Sequence, residues 1–105
     1  MNNPYNLNFT EIYKLDKALT YAHIPHRFGR LYDGYQIVYP DCEPYDKKRI
    51  CDAVIHFGTY GCEQGLLEIM GLVDEEEIGD EVEGFLTAQE VFQRIFNHFI
   101  NQKRD

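Results

Sequence analysis

The 105-residue chain contains no serine, only three cysteines, and no lysine or arginine between residues 50 and 93. Without serine, a serine nucleophile is excluded, and covalent catalysis of that kind falls to cysteine. Cys42, Cys51 and Cys62 are spaced nine and eleven residues apart and form no Cys-x-x-Cys pair. An odd count at such spacings argues against a disulfide framework or a zinc knuckle; reduced, partly buried thiols are expected. No apolar run approaches the roughly 20 residues that span a bilayer. Met1-Asn-Asn-Pro-Tyr5 lacks the charged and apolar regions of a signal peptide, so a cytoplasmic protein is expected. Gly58-Thr-Tyr-Gly61 is not followed by the Lys-Ser or Lys-Thr of a phosphate-binding loop.

The four histidines offer no ligand pair at metal spacing, two apart on a strand or four apart on a helix. His56 and Cys62, six residues apart, come nearest. No metal or other cofactor is expected. A Cys–His dyad of Cys51 or Cys62 with His56 stays open on sequence grounds and would require a reactive, low-pKa thiol; buried structural thiols are the expectation, and with them a protein that is not an enzyme.

What is present suits one small α+β domain. Hydrophobic residues make up 44 % and aromatics 14 % of the chain, enough for a modest core. Residues 1–8 read as a loose arm. Asn8 and Glu11 fit an N-cap with its reciprocal acid, and Phe9, Ile12, Leu15, Ala18, Leu19 and Ala22 recur at helical spacing up to Pro25. The spacing predicts a helix over about 9–23. Asp33-Gly34 between two aromatic and β-branched runs is a strong hairpin signal, with strands at about 26–32 and 35–39 and a type I′ turn. Tyr35, Ile37 and Tyr39 then share one face, Gln36 and Val38 the other. Ile50–Phe57 reads as a third strand, Glu63–Leu72 as a short helix, and Thr87-x-x-Glu90 as a capping box opening a last helix with a broad stripe from Val91 to Ile100. The order α-β-β-β-α-α predicts a three-stranded antiparallel sheet with helices packed on one face. That order resembles double-stranded RNA-binding domains, but their basic signature is replaced here by Thr87-Ala-Gln-Glu90.

Charge is distributed unevenly. The net charge is −8, and Asp74, Glu75, Glu76, Glu77, Asp80, Glu81 and Glu83 hold seven of the 18 acids within ten residues. Residues 50–93 carry 11 acids; the remainder carries 7 acids against 10 bases. The acidic run fits a solvated loop, and it also fits a contact surface for a basic groove, which would speed encounter and weaken as salt rises. Tyrosine occurs eight times; Tyr32, Tyr35 and Tyr60 lie in or beside the expected sheet region. They suit half-buried strand faces and equally a stacking platform or an interface anchor. With Arg27, Arg30 and Arg49 nearby, a small-ligand site or sponge for a nucleotide signal is the alternative. An aromatic face could also form a homodimer.

Tyr32-Asp-Gly-Tyr-Gln-Ile-Val-Tyr-Pro40, Ala53-Val-Ile-His-Phe-Gly-Thr-Tyr-Gly61, Leu66-Leu-Glu-Ile-Met-Gly71 and Gly84-Phe-Leu-Thr-Ala-Gln-Glu-Val-Phe92 carry a resemblance. They resemble small accessory proteins encoded by phages and prophages of Gram-positive bacteria, over most of residues 9–100, and the chain is similar in length and charge to anti-CRISPR proteins. The resemblance implies an inhibitor of bacterial defence whose partner is a host protein, an RNA-guided nuclease or another nucleic-acid enzyme. It brings no catalytic motif, direct nucleic-acid binding or membrane partner. The expected contacts are the seven acids of 74–83 with Tyr32, Tyr35 and Tyr60 as anchors.

Overall fold

A computed structural model describes residues 6–73 and 81–103. Helix α1 spans Thr10–Tyr21, strands β1 to β5 span Arg27–Leu31, Gly34–Tyr39, Cys51–Ile55, Leu67–Met70 and Val82–Leu86, and helix α2 spans Ala88–Lys103. The five strands form an antiparallel meander in sequence order. The fold is a small α+β fold with two helices.

Alternation along the strands decides which side is covered. Tyr35, Ile37 and Tyr39 of β2, Cys51, Ala53 and Ile55 of β3, and Leu67 and Ile69 of β4 share the core with Ile12, Leu15 and Leu19 of α1 and Val91 and Ile95 of α2. Both helices therefore bury their apolar stripes against one face, as expected. The connection 40–50 folds over part of the opposite face. Arg49 donates to the Pro44 carbonyl (3.1 Å) and lies 3.8 Å from the Asp52 carboxylate, which also accepts from Gln36 Nε2 at 2.8 Å. Asp52 is thus buried with two polar partners, which is what burial of a carboxylate requires.

The structure corrects the sequence reading at four places. Among the described residues the sheet has five strands, not three, and the third is followed by a 3₁₀ turn and two more strands before α2. The expected helix over Glu63–Leu72 is a 3₁₀ turn, Cys62–Gln64, followed by β4. Gly61 and Gly65 take φ of +95° and +74° on either side of that turn and stop it after three residues. Leu67 and Ile69 then alternate with Glu68 and Met70, a two-residue period in a run too short to separate from a helical one. The end of the acidic run, which shows no clear periodicity, enters β5.

In the hairpin, Leu31 pairs with Gly34, so the turn residues are Tyr32 and Asp33. Only Tyr32 is left-handed (φ +54°), so this is not a type I′ turn. Gly34 serves another purpose: a Cβ there would lie 1.8 Å from the Ile55 carbonyl oxygen. The capping box of α2 forms as read, with Thr87 N donating to Glu90 Oε1 (2.9 Å) and Glu90 N to Thr87 Oγ1 (3.2 Å). At α1, Thr10 N donates to Asn8 Oδ1 at 2.8 Å, but Glu11 reaches across the fold and accepts from Ala88 N at 2.8 Å. An acid expected to cap its own helix caps the other one.

Candidate protein-binding site

A meander sends successive connections to alternate ends of the sheet. The turn at 32–33, the connection 56–66 and the exit of β5 share one end; the connections 40–50 and 71–81 share the other. Four large aromatics are exposed at the first end: Tyr32 (78 %), Tyr60 (61 %), Phe85 (58 %) and Phe57 (52 %).

Backbone chemistry holds this end together. Asp33 accepts the Phe57 amide through both carboxylate oxygens at 3.3 Å, tying the first turn to the connection 56–66. Tyr32 meets His56 edge-on, with ring centroids 5.0 Å apart. Tyr60 N donates to Glu68 Oε1 at 2.9 Å, and Phe85 N donates to the Tyr60 carbonyl at 3.1 Å. Phe85 sits at the register shift between β4 and β5 with φ +61°, a left-handed geometry that costs a non-glycine residue on the order of 1 kcal/mol. Asp33 and Glu63 in these connections and Glu68 at the start of β4 bring negative charge to this end, and the connections carry no lysine or arginine.

The expected anchors divide. Tyr32 and Tyr60 belong to the exposed end. Tyr35 does not: it is buried, with the rings of Phe9, Phe28 and Tyr13 between 5.1 and 5.4 Å away, and it is part of the core. Phe57 and Phe85 are site residues that the sequence does not mark. Phe57 follows the strand alternation of Ala53 and Ile55, which suggests burial, and nothing in the local pattern marks the bulge that turns Phe85 outward.

The acids divide as well. Asp74, Glu75, Glu76, Glu77 and Asp80 lie outside the described residues. Glu81 is exposed, and its carbonyl accepts from Gly71 N at 3.2 Å. Glu83 forms a bidentate pair with Arg94 at 2.6 and 2.8 Å, and Arg94 also donates to the Leu72 carbonyl at 3.2 Å. Glu83 therefore helps close the stems of the acidic connection, a role distinct from the partner contact expected of it. Tyr32 and Tyr60 lie at the end of the sheet opposite to Leu72 and Glu81, the described residues that flank the acidic run. Lys47 and Lys48 lie in the connection at the same end as Leu72 and Glu81. Arg49 beside them lies 3.3 Å from Met70 Sδ, at the end of β4.

Cys51 has no place in a nucleophilic site. Its thiol is buried in the core, and burial, aided by the Asp52 charge, pushes its pKa up to about 12. A thiolate is thus scarce at neutral pH. With a thiol-reactive reagent, Cys42, which is partly exposed, is expected to label before Cys51, which reacts only as the protein unfolds. Rapid labelling of Cys51 in native protein, located by peptide mass mapping, would contradict this. Among the described residues, no three metal-ligating side chains converge, and no helix is long and apolar enough to cross a membrane.

No protein-family model matches the chain, and neither a curated protein nor a solved structure does.

Proposed function

We propose that the protein is a phage-encoded, non-catalytic inhibitor of bacterial defence that acts as anti-CRISPR proteins do, by binding the basic nucleic-acid surface of a host RNA-guided nuclease. The observation that carries this reading is the end of the sheet whose connections lack lysine and arginine, where four aromatics are left exposed. Burial of such side chains against a partner supplies the anchoring energy of most interfaces, and tyrosine is enriched among the strongest anchors. The acidic run contributes long-range attraction, which raises the rate of encounter with a basic partner more than it deepens the final complex.

The test is a cleavage assay with a purified RNA-guided nuclease from a Gram-positive host, run at low and high salt. Inhibition that weakens as salt rises is expected. A variant with Asp74, Glu75, Glu76 and Glu77 all changed to Lys is expected to lose inhibition while melting as the parent does. Full inhibition by that variant would remove the acidic segment from the contact, and retention of no nucleic-acid enzyme by the tagged protein at either salt would remove the reading itself.

A further inference from the structure

At the aromatic end a cavity of about 330 Å³ opens between the connection 56–66 and β5, lined by Phe57, Tyr60, Glu63, Gln64 and Phe85 among others. We propose that this cavity receives an arginine side chain of a basic protein partner. The inference rests on the proposed function only in taking the partner's surface to be basic.

The lining decides the sign of the ligand. An anion site needs free donors, and most amides here are already spent inside the protein. Phe57 N binds Asp33, Thr59 N binds the His56 carbonyl, Tyr60 N binds Glu68, Cys62 N binds the Thr59 carbonyl, and Phe85 N binds the Tyr60 carbonyl. The Thr59 hydroxyl is spent on the His56 carbonyl at 2.9 Å. What the cavity offers instead is three aromatic side chains and the Glu63 carboxylate. Aromatic faces carry negative potential and attract a cation placed over them, guanidinium most often, while a carboxylate matches its fork of donors. A nucleotide could stack on the same rings, but its phosphates would meet Asp33, Glu63 and Glu68 with no lysine or arginine in these connections to receive them.

The backbone segments that carry the two most exposed lining rings are also held against each other. A Cβ on Gly84 would lie 2.2 Å from Tyr60 Cβ, and one on Gly61 would lie 2.9 Å from Phe85 Cα. The two backbones touch only because both positions are glycine, and that contact holds the left-handed Phe85 beside Tyr60.

The experiment is an amide-resolved NMR titration of the full chain with an acetylated tetra-arginine peptide, against the same peptide in citrulline, which keeps the shape and lacks the charge. Shift changes centred on residues 57–64 and 85, seen with arginine and absent with citrulline, are expected. Binding about tenfold weaker is expected in the variants Tyr60→Leu and Phe57→Leu, which keep an apolar side chain and lose the ring. Equal shifts with both peptides, shifts confined to the acidic connection, or unchanged affinity in both variants would overturn the proposal. The two readings also fail separately. Arginine binding at the cavity with no nuclease inhibited keeps the cavity and removes the inhibitor; inhibition undiminished in a Phe57→Leu, Tyr60→Leu double variant removes the cavity and keeps the inhibitor.

Discussion

Gly34→Ala is expected to lower the melting temperature by about 10–20 °C. The new Cβ would sit 1.8 Å from the Ile55 carbonyl oxygen, and the obstructing atom is backbone in a central strand. No rotamer change relieves it. β2 must separate from β3 at Tyr35–Ile55, the pair next to the hairpin turn, at a cost of about 3 kcal/mol from a total stability of about 5–15 kcal/mol. Gly29→Ala is the matched control: it lies in β1, the edge strand of the same hairpin, where an added Cβ meets nothing within 4 Å. Its melting temperature should change by no more than a few degrees. Equal melting of the two variants in calorimetry would show that Gly34 is not fixed by that approach.

Arg94→Ala should cost about 2–3 kcal/mol, the sum expected when a charge-assisted bidentate pair and a further bond to a carbonyl are lost together. Arg94 is about a quarter exposed and Glu83 less so, so solvent screens the pair only in part. The effect reaches beyond stability. Leu72 and Glu83 are the two stems of the acidic connection, and Arg94 holds both to α2. Limited proteolysis between residues 73 and 82 is therefore expected to accelerate in Arg94→Ala, and Arg94→Lys, which retains one contact of the fork, should fall between. Unchanged proteolysis with lowered stability would show that Arg94 acts on the core alone.

The parts of this fold that were legible in the sequence are those set by local periodicity. α1, the first three strands and α2 follow from apolar spacing, and the Thr87–Glu90 box opens α2 where it should. β4 was not legible, because four residues of alternating pattern inside a leucine-rich run look the same as one helical turn. β5 was hidden by composition: acids dominate the approach to it, and the arginine that pairs with its Glu83 lies eleven residues later. The same limit applies to the candidate site. Tyr32 and Tyr60 were visible as turn aromatics. Tyr35 was counted with them because a strand tyrosine shows no sign of which neighbours will cover it, and here Phe9, Tyr13 and Phe28 do so. Phe85 faces outward by virtue of a bulge and a left-handed backbone, neither of which has a local signature when the residue is not glycine.

The bond from Ala88 to Glu11 has a consequence for how the chain is made. The sheet grows from neighbouring hairpins, each able to pair as it leaves the ribosome, whereas the layer that covers it comes from two segments 77 positions apart. α1 is synthesised first and has no sheet to lie on until β2 and β3 follow. Until α2 arrives, Leu67, Ile69 and Leu86 form an apolar surface without their lid, and Glu11 waits without the amide it caps. A chain truncated after residue 87 should therefore be more prone to self-association than the full chain, and arrival of α2 the event that makes the protein safe to accumulate.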